Sequence, residues 1–260
     1  MRVGLIADLH GNKLALEAVL DQLDRQRIDR IICLGDVTVL GPDPSGVMRL
    51  LRAREIPVVM GNTDAWLFGP PRPDPIFAGL TRWTRAQLTA ADLAMIKAFP
   101  PTLHAPLDGE SSLLACHGSP RSYDEVISAL TPDDRLAEAI AGHDEPIIAG
   151  GHTHVPLLRR FSRRHLINPG AVGLPGIGPG TADLPVNADV AWAEYGVIEF
   201  TTPQAHAVTF HRIPIDLTAL FAAADATGMP HLDWWKRLWR TSSAGEQPSE
   251  SSVRGPEPGQ

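Results

Sequence analysis

The sequence predicts an α/β fold in a single domain, with a second sheet packed on the first, and three observations predict it. Apolar runs of strand length alternate with stretches of helical period through the first half of the chain. Polar residues follow each run, where open α/β sheets place their ligands. Two long runs of alternating polarity come late, at Tyr195 to Phe200 and Ala205 to Ile215, and ask for a further sheet.

The first strand is Val3 to Ala7, an apolar run too short for a buried helix, followed by Asp8, His10 and the turn Gly11-Asn12. Leu14 to Gln26 carries an apolar face of helical period. Arg30 to Leu34 is a second strand ending in Gly35-Asp36, and Pro44 opens a helix that runs to Ala53. Ile56 to Met60 reads as a third strand, ending in Gly61-Asn62-Thr63-Asp64. After the proline-rich loop Gly69 to Pro75, Leu80 to Ala98 reads as helix, broken near Thr89 with Asp92 as a cap for the second piece. Ser112 to Cys116 is a fourth strand, ending in His117-Gly118. Thr131 caps a helix over Leu136 to Ala141, with Pro132 in its first turn, and Pro146 to Ala149 is a fifth strand, ending in Gly151-His152-Thr153-His154.

From Leu157 the runs LLRRF and HLINPG read as short antiparallel strands, and a Gly- and Pro-rich loop spans Gly173 to Asp189. Leu217 to Ala224 and Leu232 to Arg240 read as helices, the second docking Trp234, Trp235 and Trp239 on the edge of the core. Residues 1–240 form the domain, and 241–260, rich in Ser, Pro, Gly and Glu without apolar anchors, form a disordered tail.

A formal net charge of −7 argues against a sequence-blind grip on nucleic acid through its phosphates. Cys33 and Cys116 each close an apolar run and read as buried, reduced thiols. Met1 leads straight into the first strand and no apolar run approaches about 18 residues, so neither a signal peptide nor a membrane span is expected and the protein is expected in the cytoplasm.

The residues at the five strand ends are Asp8, His10, Asp36, Asn62, His117, His152 and His154, all oxygen or nitrogen donors suited to zinc, manganese, iron or nickel. Seven side chains are too many for one such ion. If Asp36 bridges, they give four contacts to each of two ions, the arrangement of a two-metal hydrolase with ions about 3.5 to 4 Å apart. His104, His143, His165, His206, His211 and His231 have no comparable setting and read as structural or surface residues.

In this order and spacing, DLHGN, GD, GNTD, HG and GHTH resemble the calcineurin-like metallophosphoesterase superfamily, and within it the small bacterial and archaeal phosphodiesterases and the diadenosine tetraphosphatase-related group. The resemblance covers residues 2 to about 215. It implies a four-layer α-β-β-α sandwich and assigns Asp8, His10 and His154 to one ion, Asn62, His117 and His152 to the other, and Asp36 to both. It further implies a metal-activated hydroxide attacking a small phosphate-ester substrate, with nucleotide-like compounds among the candidates. Asn62, Asp64 and Asn12 are expected at the chemistry, Asn12 and the backbone around Asn62 steadying the phosphate. The family commonly has histidine where this chain has Thr63, whose hydroxyl donates a hydrogen bond but does not titrate near neutrality. That departure implies substrates with good leaving groups. Arg121 is a further candidate for a phosphate contact, against a plain surface role, and Asn168-Pro169-Gly170 is a turn that recurs in the group. The competing reading is a binding or scaffold protein that keeps the fold without the chemistry.

Overall fold

The structure, a computed structural model, describes residues 1–107, 112–176, 191–202 and 205–239. The expected tail from 241 onward and residues 177–189 of the Gly- and Pro-rich loop lie outside the described residues.

Strand β1 (Arg2–Ile6) pairs in parallel with β2 (Arg30–Cys33), and the helix α1 (Lys13–Arg25) crosses between them. On its other side β1 pairs antiparallel with β8 (Trp192–Thr202), which pairs with β9 (Ala205–Pro214), giving the order β2-β1-β8-β9. The second sheet has the order β3-β4-β5-β7-β6, from β3 (Leu103–Pro106), β4 (Ser112–Ala115), β5 (Ile147–Ala149), β6 (Leu157–Phe161) and β7 (Arg164–Asn168). The late alternating runs were expected to make a sheet of their own. Instead they complete the first, while the fourth and fifth expected strands belong to the second.

Alternation along β1 explains the layers. Val3 and Leu5 point into an inter-sheet core with Ile32, Leu113, Ile147, Ile167 and Ile198, whereas Ile6 faces a second core under Leu16, Val19, Leu20 and Leu23 of α1. A third core lies behind the second sheet, where Leu114, Ile148 and Leu166 meet Leu136 and Ala139 of α6 (Asp133–Ala139). Helix, sheet, sheet and helix are thus separated by three apolar seams, which is the four-layer sandwich.

Several local expectations are revised. Ile56 to Met60 makes a single parallel bridge, Val58 to Cys33, rather than a strand. Pro57 has no N–H to extend the ladder, and the Met60 N–H turns to Pro100 O at 2.8 Å. Gly61 to Asp64, at the end of that run, leads into a short helix α3 (Asn62–Trp66). The helix α2 (Pro44–Ala53) starts as expected, under an Asp43 cap. The expected long helix is α4 (Pro75–Gln87) followed by α5 (Ala90–Lys97). Thr89 is the cap of α5 and Asp92 the reciprocal member of its capping box. The Thr131 hydroxyl accepts from the Ser128 N–H at 2.8 Å instead of capping α6. The edge strand β3 had no signal, because its four residues LHAP include a proline and show no clean alternation.

At the far end, α7 (Leu217–Asp225) and α8 (Leu232–Trp239) close the helical layer; Trp235 and Trp239 are buried and Trp234 packs edge-on against Phe77. No helix among the described residues is long and apolar enough to cross a membrane.

Cys33 and Cys116 are free and buried; burial pushes the Cys116 thiol up to about 12 and raises Cys33 as well. Near pH 8 a thiol at such a value is thiolate roughly a thousandfold less often than a free cysteine. A disulfide-exchanging dye added to the folded protein at pH 8 should therefore leave both thiols unmodified, and should react with both once the chain is unfolded in guanidinium. Prompt modification of the folded chain would count against this burial.

Candidate metal centre

The loops after β1, β2, the Val58 bridge, β4 and β5 rise to one place, and five of the seven expected donors there adopt positive φ. Asp8 lies at 55°, His10 at 45°, Asp36 at 55°, His152 at 70° and His154 at 59°. Such a backbone costs a non-glycine residue on the order of 1 kcal/mol or more and tends to gather at functional sites. Here it is held by hydrogen bonds between the first two loops: Asp8 N–H to Gly35 O at 3.0 Å, His10 N–H to Asp36 O at 2.9 Å and Gly11 N–H to Val37 O at 2.8 Å. The second sheet's loop joins them through the His152 N–H, which donates to the Asp8 carboxylate at 3.1 Å.

All seven donors meet, in two groups that share Asp36. Ligand atoms of Asp8, His10, Asp36 and His154 all lie within 4.8 Å of one another. On the other side, His117 Nε2 lies 3.0 Å from Asn62 Oδ1 and His152 Nδ1 lies 3.2 Å from the same oxygen. Asp36 turns Oδ2 toward His10 Nε2 at 3.8 Å and Oδ1 toward His117 Nε2 at 3.4 Å. Each of its oxygens therefore addresses a different group.

The rings are aimed from behind by backbone carbonyls. Nδ1 of His10 bonds Val39 O at 2.9 Å, Nδ1 of His117 bonds Leu34 O at 2.7 Å and Nδ1 of His154 bonds Leu174 O at 2.7 Å. An N–H donated to a carbonyl fixes the tautomer, so Nε2 of each ring points inward as the coordinating atom. These carbonyls have no side-chain signature, and nothing in the residue types at 34, 39 or 174 announces them.

The donor set fits a cation. His10 Nε2 and His154 Nε2 face each other at 3.1 Å with both Nδ1 atoms already donating, so a shared proton or a cation is needed between the two lone pairs. Two nitrogens bound about 2.1 Å from one ion lie roughly 3 to 3.4 Å apart.

Charge at the centre is balanced by protons when no ion is there. Burial pushes Asp36 up, but the charge and hydrogen bond of His117, with His10 and His152 beyond, hold it well below the usual carboxylate range. Asp8 is lowered as well, His154 and His117 outweighing its burial. Burial works against the charged form of His117 too, yet Asp36 and Asp8 raise it to about 10. His154 is raised for the same reason, chiefly by Asp8 against its own burial. Burial and the neighbouring His117 push His152 down to about 4, and burial with His154 lowers His10. Positive charge is thus wanted on the inward nitrogens of His117 and His154, one in each group.

Asn12 and Asp64, both expected at the chemistry, bond to the backbone around the centre. The Asn12 amide caps α1, accepting from Ala15 N–H at 3.1 Å and donating to Gly173 O at 3.3 Å, which ties the start of α1 to the chain after β7. Asp64 is fully buried and accepts from Val37 N–H at 2.9 Å and Gly61 N–H at 3.3 Å; it ties the Asp36 and Asn62 loops together rather than facing a substrate. Arg121 is ion-paired to Glu125, with Nε 2.9 Å from Oε2, which is the surface role. Thr63 sits in the centre's wall: its N–H donates to Asp36 Oδ1 at 2.9 Å, and its buried hydroxyl has no protein partner. The other six histidines stay outside; among them His165 and His206 bond each other at 2.9 Å.

Gly61 is required by proximity. A Cβ there would fall 2.1 Å from Asp36 Oδ1, the oxygen that faces the Asn62 group. The same Cβ would fall 2.3 Å from Asp36 N, so Gly61→Ala has to shift the Asp36 loop; it should lower stability and, at a temperature where the metal-free variant is folded, bind manganese at least about tenfold more weakly, as for lost outer-shell support of a metal ligand. Equilibrium dialysis against manganese checks this, and undiminished uptake would show that Asp36 does not need that space.

A family model of the calcineurin-like phosphoesterase superfamily domain matches residues 1–185. An uncharacterized protein of Methanocaldococcus jannaschii is 26% identical over 191 residues, which is 66% of this chain and 76% of that protein. The crystal structure of a metallophosphoesterase from Sphaerobacter thermophilus superposes with a TM-score of 0.68 at 30% identity, covering 92% of this chain and 98% of the other. That of a hypothetical protein from Pyrococcus horikoshii superposes with a TM-score of 0.76 over 92% of this chain and 97% of its own, at 16% identity, and speaks to the fold alone. With the strand-end donors gathered as they are and the family model spanning most of the chain, this protein belongs to the calcineurin-like phosphoesterase superfamily.

Proposed function

We propose that this chain hydrolyses a small phosphodiester or phosphoanhydride at a centre of two divalent ions. Asp8, His10 and His154 would hold one ion and Asn62, His117 and His152 the other, with Asp36 offering an oxygen to each. The observation that carries this reading is the placement of the two Asp36 oxygens toward His10 and His117, at 3.8 and 3.4 Å. When bound, divalent ions supply Lewis acidity toward phosphoryl oxygens and lower the pKa of water.

The chain's own contribution is orientation and exclusion of solvent. The carbonyls of Val39, Leu34 and Leu174 keep three imidazoles in one tautomer, and Asp64 pins the loops that carry Asp36 and Asn62. Asn62, at 8%, is the most exposed of the seven donors, so substrate approaches from its side. Thr63, next to it, offers an unpartnered hydroxyl as a hydrogen-bond donor to a leaving oxygen. It has no proton to give up near neutrality, so the leaving group must depart as a stable anion. Aryl esters, nucleotide-like diesters and anhydrides meet that condition better than alkyl monoesters. With a net charge of −7, we place its work on small substrates rather than on nucleic-acid polymers.

Two measurements test the reading. Metal-depleted protein should hydrolyse bis(p-nitrophenyl) phosphate only after manganese is restored, and Asp36→Ala should lose at least about a hundredfold in kcat, already the upper penalty for an outer-shell partner. Manganese uptake without turnover would favour a binding protein built on this fold. For the leaving group, Thr63→His should raise the alkyl-to-aryl ratio of kcat/KM by at least about tenfold, short of the roughly hundredfold at the low end of general acid catalysis. An unchanged ratio would remove Thr63 from that role.

A further inference from the structure

We infer that Asn168 is a positioning residue of the metal centre, fastening the arm that carries His152 and His154 to the arm that carries Asp8. The inference rests on the metal-centre reading above. His152 occupies the middle of a three-residue turn: Thr153 N–H donates to Gly151 O at 2.8 Å and φ of His152 is 70°. That is the γ-turn of positive φ, the rare and strained form. Left to itself it would relax, and His152 Nδ1 would leave Asn62.

Asn168, buried at the end of β7, closes this turn from both sides. Its Nδ2 donates to Gly151 O at 2.6 Å and to Thr153 Oγ1 at 3.0 Å, the two residues that flank His152. Its Oδ1 accepts from Gly170 N–H at 2.9 Å, and the chain beyond Gly170 docks on the other arm, Val172 N–H on Ala7 O at 2.9 Å and Gly173 N–H on Asp8 O at 2.8 Å. All three of these contacts belong to one side chain. It links the second sheet's histidines to the first sheet's aspartate. Because His152 and His154 sit in different donor groups, slackening this arm weakens both groups together.

The test is manganese titration of the metal-depleted chain, following free manganese by electron paramagnetic resonance. Asn168→Asp keeps the acceptor for Gly170 and removes both donations to the turn. It should weaken binding at both positions by about 10- to 100-fold, the usual cost of losing an outer-shell partner, at a temperature where circular dichroism shows the metal-free variant folded. A merely structural role would lower the melting temperature and leave affinity unchanged, and that result overturns the inference. Loss of one position alone would overturn the coupling of the two arms. If Asn168→Asp does not fold without metal, Thr153→Val carries the test. It removes one of the two acceptors, and binding should weaken roughly fivefold, as for one ordinary hydrogen bond; wild-type affinity overturns the inference. Wild-type protein that takes up no manganese would overturn the metal-centre reading itself, a failure distinct from wild-type uptake unaffected by either variant.

Discussion

Everything at this centre depends on keeping the Asp36 carboxylate ionised where water is almost absent. A buried carboxylate without partners would take a proton, and with it the site would lose the charge that turns one oxygen to each set of donors. His117 on one side and His10 on the other, with the Thr63 N–H donating to Oδ1, supply the compensation. Those three partners come from three separate loops, none of them the loop of Asp36 itself. The two sheets must therefore meet with their loop-bearing ends aligned, and the inter-sheet core of Val3, Leu5, Ile32, Leu113, Ile147 and Ile167 provides that alignment.

The neighbouring carboxylate shows how environment divides roles between like groups. Asp64 is as buried as Asp36, but burial and the charge of Asp36 raise it to about 7, and the Val37 and Gly61 N–H groups with His117 pull it back only in part. Asp36 is placed to hold cations, while Asp64 holds polypeptide. A residue two positions from Asn62 in sequence thus serves the site from behind.

Much of the centre was legible in the sequence because a donor after a short apolar run has few places to go in an α/β sheet: Asp8, Asp36, His117 and His152 are where that rule puts them. What lay beyond the sequence was set by partners distant along the chain. Asn12, expected beside the phosphate, is also a helix cap, a task that depends on the position of Ala15 N–H and that its expected role did not announce. Sheet membership of β8 and β9 was not readable, as alternation gives the buried face of a strand but not its neighbour. The strand expected at Ile56 to Met60 failed at Pro57, a local signal that was present and outweighed by the apolar run around it.

The strained backbone connects this geometry to stability. Five non-glycine residues at positive φ sum to roughly 5 kcal/mol even at the low end of the usual cost. That is the size of the whole net stability of a modest domain. The opposing contributions are visible: the ladder from Asp8 to Gly11 against Gly35 to Val37, and the carbonyls that anchor three rings. A cation bound at either group would add to them, because ligands that bind only the folded arrangement shift the folding equilibrium toward it. The same loops that make the chain chemically competent are therefore its most strained part. Their rigidity has to come from the sandwich beneath them and from the charge they enclose.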